Sequence, residues 1–179
     1  MVVFVFEMDL QAFNQRILPV QGRLFRLAQM FLRNREEAED ATQNVLLKLW
    51  TNRQKLESYQ SVEAFAVQMT KNECLDRIKS HSRKNMAYDF DMTEVKANQV
   101  SPYKQVENED NASLIGKLIA ELPEQQKLVL HLRDVEEYSF EEIEKVTGLS
   151  AANIRVILSR ARQRLRENYL KDNDYEPGY

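Results

Sequence analysis

The sequence predicts an all-α protein with two small helical domains joined by an acidic linker. Apolar residues recur about every 3.6 residues through most of the 179-residue chain, the period of an amphipathic helix. Glycine and proline are scarce, with four of each, so few positions would break a helix. The linker is predicted at residues 85–110, which hold six acidic residues, two basic residues and few aliphatic ones.

The first domain is predicted to contain three helical stretches and one loop. Apolar faces run from Asp9 to about Leu32, with an interruption predicted around Pro19 and Gly22. Asn34 is a typical N-cap for the next helix, which should end near residue 52. Residues 52–61 lack the helical period and are predicted as a loop before a helix that resumes at residue 62. The expected core residues of the first two stretches are Leu10, Phe13, Ile17, Leu24, Leu27, Ala28, Phe31, Leu32, Ala38, Ala41, Val45, Leu46, Leu49 and Trp50.

The second domain is predicted to end in a helix-turn-helix. Helical periodicity returns at Asn111, and Pro123 is expected at the first position of the following helix. That helix should bury Leu128, Val129, Leu132 and Val135. Residues 139–146 then form a helix, residues 147–149 a turn containing Gly148, and Ser150 caps a last helix over residues 150–166. An ordinary helical hairpin with a solvated basic face is the alternative.

The last helix has one apolar face and one basic side. Ile154, Ile157, Leu158, Ala161 and Leu165 lie within one arc, whereas five arginines lie on or beside the opposite face: Arg155, Arg160, Arg162, Arg164 and Arg166. A guanidinium can bind phosphate oxygens or guanine bidentately, so this face suits a nucleic acid. A second basic surface is predicted at Lys71, Arg77, Lys79, Arg83 and Lys84, with a solvated helix end as the alternative.

Composition argues against catalysis and against a membrane span. No cluster of His, Cys and acidic residues has metal-ligand spacing, and no glycine-rich phosphate loop occurs, so we expect no enzyme, metal or cofactor. Cys74 is the single cysteine, which indicates a reducing compartment. The apolar residues 2–6 are too short to span a bilayer. We therefore expect a cytoplasmic protein.

Two segments together resemble the extracytoplasmic-function (group 4) sigma factors of bacterial RNA polymerase, in the sigma-70 family. EEAEDATQNVLLKLW (36–50) and AFAVQMTKNECLDRIKSHSRK (64–84) are similar to region 2 of that family. ELPEQQKLVLHLRDVEEYSFEEIEKVTGLSAANIRVILSRARQRLR (121–166) is similar to its region 4, which carries the promoter-reading helix-turn-helix. The resemblance implies a region 2 domain at 1–84, the linker at 85–110, a region 4 domain at 111–172 and a tail at 173–179.

The resemblance also implies partners and residue roles. Core RNA polymerase, through its clamp and flap regions, and promoter DNA are the implied partners, and an anti-sigma factor is a further one. The residues implied for polymerase are Asp40, Gln43, Asn44 and Lys48. Those implied for the −10 element are Leu56, Ser58, Tyr59, Asn72, Arg77, Lys79, Arg83 and Lys84. Those implied for the −35 element are Ser150, Arg155, Val156, Ser159, Arg160 and Arg162.

The leading interpretation is a sigma factor that binds core polymerase and directs promoter-specific initiation. The first alternative is a helix-turn-helix repressor or activator whose N-terminal helical domain senses a signal or dimerises. It would bind duplex promoter DNA without polymerase. The second is a helical interaction protein whose arginines are merely solvated, which would show no DNA-dependent behaviour.

Overall fold

The computed structural model describes the backbone of residues 9–56, 58–88 and 108–173, and the side chains of residues 9–56, 58–81 and 114–171. Every regular element in these ranges is helical, so the all-α prediction is confirmed. The predicted N-terminal stretch 2–6, the middle of the linker at 89–107 and the end of the tail at 174–179 lie outside the described residues. The elements in chain order are α1 (Leu10–Leu32), α2 (Arg35–Thr51), α3 (Arg53–Leu56), α4 (Val62–Tyr88), α5 (Asn108–Ala120), α6 (Glu124–Leu130), a π-helix (His131–Val135), α7 (Phe140–Thr147) and α8 (Ala151–Asn173).

The first domain is a bundle in which α1 packs against both α2 and α4. Two polar side chains start its helices, as Asp9 Oδ1 accepts from Ala12 N at 2.7 Å and Asn34 Oδ1 accepts from Glu37 N at 3.1 Å. The predicted cap at Asn34 is therefore confirmed. Side chains from all three helices fill the core, which includes Ile17, Leu24, Leu27, Ala41, Val45, Leu49 and Val67.

The predicted interruption of the first helix is wrong, because α1 runs unbroken through Pro19 and Gly22. Proline in a helix interior removes one backbone hydrogen bond and costs about 3 kcal/mol. Pro19 faces solvent, while Ile17 and Val20 on either side are buried, so core packing holds the helix across it. Leu10 is also not a core residue, as it starts the helix and is 60% exposed. The predicted loop at 52–61 contains the short helix α3.

The second domain packs α5, α6 and α7 against α8. Pro123 precedes α6 in an extended conformation (φ −52°, ψ 144°), so it occupies the N-cap position rather than the predicted first helical position. The core of this domain includes Leu118, Leu122, Val129, Leu132, Ile143, Ile154 and Leu158.

The π-helix after α6 explains a second wrong core prediction. Leu128, Val129 and Leu132 are buried as predicted, but Val135 is 53% exposed. A π-helical turn holds more residues than an α-helical one, so the buried face changes phase at His131. The residue that the shifted phase buries instead is Glu136, which is 7% exposed.

Polar contacts join the two domains. Arg26 of α1 donates to both carboxylate oxygens of Glu136, from Nε at 2.8 Å and Nη2 at 2.7 Å. Gln68 Nε2 of α4 donates to the Val146 carbonyl at 2.6 Å. The two helices that flank the predicted linker also enter it, since α4 ends at Tyr88 and α5 begins at Asn108. The domain boundaries themselves stay predictions.

None of the described helices is both long enough and apolar enough to cross a membrane.

Candidate nucleic-acid interface

Local capping builds the helix-turn-helix. Ser139 and Glu142 form a capping box, in which Glu142 N donates to Ser139 Oγ at 3.2 Å and Ser139 N donates to Glu142 Oε2 at 2.7 Å. The backbone N–H of Ser139 holds the pKa of the Glu142 carboxyl below its usual range. Gly148 ends α7 in the left-handed region with φ 71°, and its N–H donates to the Glu144 carbonyl at 2.8 Å. The helix–turn–helix prediction is thus confirmed in its local geometry.

The start of α8 is fixed to the preceding helix. Ala151 N donates to the Glu144 carboxylate, and Asn153 N donates to Ser150 Oγ at 3.4 Å. A carboxylate at this position also suits the positive end of the α8 dipole. The predicted apolar stripe of α8 lies inward, with Ile154, Leu158 and Ala161 buried and Ile157 and Leu165 half-buried.

The residues predicted for the −35 element have different surroundings. Arg155, Val156, Ser159 and Arg160 are exposed on the outward face of α8. Ser150 is exposed and its hydroxyl caps the helix. Arg162 is exposed but forms two hydrogen bonds to Asp134 of the π-helix, from Nε at 3.0 Å and Nη2 at 2.5 Å. Those bonds raise the pKa of the Arg162 guanidinium.

The ring of Phe140, at the start of α7, contacts two arginines. The Arg155 Cζ atom lies over the ring at 4.7 Å from its centroid, and the Arg133 Cζ atom lies over it at 5.0 Å. Arg133 is itself fixed, because its Nη1 donates to the Tyr138 carbonyl at 2.6 Å. Phe140 has the helical spacing of a core residue with Ile143 and Val146, and that spacing does not predict these contacts.

The predicted −10 loop borders a cavity of about 210 Å³. Leu56 is fully buried and anchors the loop, whereas Ser58 is exposed and donates to the Lys55 carbonyl at 2.7 Å. Tyr59 is 42% exposed and stacks on Phe65, with ring centroids 4.1 Å apart and planes 16° apart. The cavity is lined by Tyr59, Gln60, Ser61, Ala64, Phe65, Gln68 and Lys145.

Apart from Tyr59, these lining residues are not among those predicted for the −10 element. Phe65 has the helical spacing of a core residue, and Gln68 carries no sequence signal of a site. Lys145 belongs to α7 of the other domain, so only the tertiary structure brings it to the cavity. Asn72 is exposed one helical turn beyond Gln68 on α4.

The basic end of α4 is only partly open to a ligand. Lys79 is exposed, but Arg77 donates to Glu73 Oε1 at 3.1 Å and to the Glu37 carbonyl at 3.4 Å. Arg83 and Lys84 continue the backbone of α4, and their side chains lie outside the described residues.

The polar face of α2 matches its prediction in position. Asp40, Gln43, Asn44 and Lys48 are exposed, opposite the buried Ala38, Ala41, Val45 and Leu49. Lys48 Nζ donates to Glu73 Oε2 at 2.6 Å, which joins this face to α4. Burial would raise the pKa of Glu73, but hydrogen bonds from Lys48 and Arg77 outweigh it and hold the pKa below its usual range.

A polar cluster around the buried Glu136 and His131 lies where the domains meet. Besides Arg26, Glu136 has Arg23 Nε at 3.8 Å and His131 Nε2 at 3.4 Å, the latter without hydrogen-bond geometry. Burial opposes the charge on Glu136, yet the bonds from Arg26 keep its pKa below the usual range. The buried Tyr138 hydroxyl donates to Glu63 of α4, and burial followed by this bond raises the pKa of Tyr138.

Among the described residues, no group of three or more His, Cys, Asp or Glu residues could hold a metal ion. Cys74 is buried, and burial raises the pKa of its thiol to about 12, so the thiolate nucleophile is suppressed.

Fold and surface together define a class: a two-domain helical DNA-binding protein with an arginine-bearing helix-turn-helix and a second polar surface on the other domain. Family models agree with this division. Residues 17–84 match Sigma-70 region 2, and residues 112–165 match Sigma-70, region 4.

Individual relatives align with most of the chain. The chain is 27% identical over 152 residues to the ECF RNA polymerase sigma factor SigE of Mycolicibacterium smegmatis, covering 83% of this chain and 58% of that protein. It is 26% identical over 149 residues to the ECF RNA polymerase sigma factor SigM of Bacillus subtilis, covering 82% and 88%. The chain thus spans under two-thirds of the mycobacterial relative and most of the Bacillus one.

Solved structures share the fold. The sigma factor RpoE from Bartonella quintana, in complex with the anti-sigma factor NepR, aligns with a TM-score of 0.65 at 24% identity, covering 88% of this chain and 96% of that one. CnrH, in complex with the cytosolic domain of CnrY, aligns with a TM-score of 0.61 at 20% identity, covering 93% and 91%.

The two sigma-70 regions match in order and together cover more than half of the chain. The chain therefore belongs to the ECF sigma factors of the sigma-70 family.

Proposed function

We propose that this chain binds core RNA polymerase and directs promoter-specific initiation in the cytoplasm, as a non-enzymatic factor. The observation that carries the proposal is the pairing, in one chain, of a region 2 match and a region 4 match whose helix-turn-helix exposes Arg155 and Arg160. A repressor would need only the second of these domains.

Polymerase binding is assigned to the outward face of α2. Asp40, Gln43 and Asn44 are exposed, and the opposite face of the helix supplies the bundle core. A partner can therefore contact this face without disturbing the fold. Lys48 would contribute partly through Glu73, because the two already form an ion pair at 2.6 Å.

Reading of the −10 element is assigned to the cavity beside Tyr59. An unstacked base can stack on an exposed aromatic ring, and amide side chains can bond its edge. The stacked pair Tyr59–Phe65 supplies the ring, and Gln68 and Asn72 present amides on the adjoining turns of α4. Lys79, with Arg83 and Lys84 further along the chain, would hold the phosphates.

Reading of the −35 element is assigned to the outward face of α8. Arg155, Val156, Ser159 and Arg160 are exposed there over two turns, which fits a recognition helix in the major groove. Ser150 would approach the DNA backbone from the helix N-terminus. We assign Arg162 a weaker role at phosphates, because Asp134 already neutralises it.

An anti-sigma factor is proposed as a regulatory partner. The solved relatives RpoE and CnrH are complexes, the first with the anti-sigma factor NepR and the second with the cytosolic domain of CnrY. Each of those structures aligns over most of this chain, which supports a partner of the same kind.

In vitro transcription with purified core polymerase tests the proposal. The wild-type chain should co-elute with core and support promoter-dependent transcripts, and Asp40→Arg should abolish both because it reverses charge at the centre of the α2 face. The control is Glu39→Arg, an exposed acid on the same helix about 100° away. Co-elution of Asp40→Arg at the wild-type level would remove this face from the proposal, and promoter binding without any need for core would favour a repressor.

A further inference from the structure

Phe140 is the meeting point of three elements of the second domain. It is the first residue of α7, its ring contacts Arg133 of the π-helix, and the same ring contacts Arg155 of α8. The capping box at Ser139 and Glu142 fixes the backbone next to it. Phe140 is half-buried, so one side of the residue is held by the domain while the rest reaches the surface.

The contact with Arg155 constrains a side chain that would otherwise be free to rotate. Arg155 is exposed on the second turn of α8, and an exposed arginine populates many rotamers. A guanidinium over an aromatic ring gains cation–π attraction and keeps its plane aligned with the ring. Because the ring already restricts Arg155 in the free protein, binding DNA causes a smaller loss of side-chain entropy.

We propose that Phe140 is a positioning residue for promoter discrimination, acting through Arg155. The ring holds the guanidinium in one orientation while the N–H edge stays exposed, and that edge makes the bidentate contact to a base in the −35 element. Arg133, which is half-buried, holds the Phe140 ring from a second side, since its other contact is the Tyr138 carbonyl. This inference rests on the proposed −35 role of Arg155.

The test measures sequence preference with holoenzyme reconstituted from the full chain and core polymerase. Binding is compared across promoters in which each −35 base pair is varied in turn. Arg155→Ala should reduce the preference at one position by roughly 5- to 150-fold, the range for a lost bidentate contact. Phe140→Leu should reduce the preference at the same position by roughly 2- to 5-fold, the range for an exposed cation–π contact.

Matched variants separate positioning from a merely structural role. Phe140→Tyr keeps the ring and should keep the preference, whereas Phe140→Met, which has similar volume and no ring, should behave like Phe140→Leu. In the Arg155→Ala background, Phe140→Leu should cause no further loss of preference. Thermal melting by circular dichroism checks that each variant is folded, and Phe140→Met replaces Phe140→Leu if the latter is not.

The outcomes distinguish the positioning role of Phe140 from the −35 role of Arg155 on which it rests. If Arg155→Ala leaves every −35 preference unchanged, the proposed role of Arg155 fails and the inference fails with it. If Arg155→Ala flattens one position while Phe140→Leu and Phe140→Met do not, only the role of Phe140 is overturned. An equal, additive loss from Phe140→Leu in the Arg155→Ala background would likewise overturn it.

Discussion

Individual arginines of the helix-turn-helix differ in what they contact, although the sequence presents them as one basic face. Arg162 is paired with Asp134, Arg155 lies over the Phe140 ring, and Arg160 is exposed. The helical period predicts which way each side chain points, but their partners lie on other elements. The basic face could therefore be predicted from the sequence, whereas the different contacts of its arginines could not.

Asn72 tests whether the two proposed DNA surfaces act separately. Asn72→Ala removes one amide beside the cavity on α4 and leaves the helix-turn-helix untouched. It should slow promoter opening, measured as lower permanganate reactivity of thymines near −10, while sparing binding of holoenzyme to −35 duplex DNA. Arg155→Ala should show the reverse pattern. If both variants weakened −35 binding equally, the prediction that the two surfaces act independently would be wrong.

His131 should give the fold a pH dependence. Burial lowers the pKa of its imidazole, against the opposing effect of Glu136. Below about pH 6.5, the usual histidine pKa, the unfolded chain takes up the proton first, so the free energy of unfolding falls as pH drops. The lowered pKa of Glu136 means that its own contribution is lost only at more acidic pH.

Urea unfolding between about pH 7.5 and pH 5.5 measures this slope. His131→Gln should flatten it, because glutamine does not titrate. His81→Gln, which changes the other histidine of the chain at an exposed position on α4, should keep the wild-type slope. A slope that survives in His131→Gln would assign the pH dependence to another group.

Among the elements, the π-helix alters the geometry of the second domain most. It turns Val135 out to solvent and Glu136 in towards α1. It also places Asp134 against Arg162 of α8. A single helical turn thus connects the recognition helix to the contact between domains.

The phase change predicts unequal costs for two neighbouring truncations. Leu132 is 1% exposed, so Leu132→Ala should cost about 2–5 kcal/mol of unfolding free energy. Val135 is 53% exposed, so Val135→Ala should stay within about 0.5 kcal/mol. Chemical denaturation of both variants makes the comparison. Similar large losses would mean that Val135 is buried and that the helix continues in α phase.

Helix ends were more predictable than helix interiors. Asn34, Gly148 and Ser150 all act at the predicted ends, because capping depends on residues close in sequence. Pro19 misled the prediction since its cost is offset by packing that only the folded bundle provides. The π-helix could not be predicted from neighbouring residues. It is stabilised by contacts with residues distant in sequence, because Arg26 binds Glu136 and Arg162 binds Asp134.

At the scale of the whole molecule, the domains meet beside the proposed −10 surface. Lys145 of α7 lines the cavity that contains Tyr59, and the Val146 carbonyl accepts from Gln68 at 2.6 Å. Glu136 of the second domain also binds Arg26 of α1. The arrangement leaves the outward face of α8 exposed while placing part of α7 against the −10 surface. Glu136 belongs to an acid-rich stretch at residues 136–144, and the arginines that it contacts are on α1.

Reversing the charge at Glu136 should separate the domains. Glu136→Lys would place a cation beside Arg23 and Arg26, so the ion pairs that Glu136 forms between the domains become repulsive. The radius of gyration from small-angle X-ray scattering should rise, and binding of a single-stranded −10 oligonucleotide by the free protein should strengthen because α7 no longer lies against Tyr59 and Gln68. Glu137→Lys is the matched control, since this neighbouring acid is exposed. If Glu136→Lys kept the wild-type radius and bound the oligonucleotide no better than Glu137→Lys, the contact at Glu136 would not control access to the −10 surface.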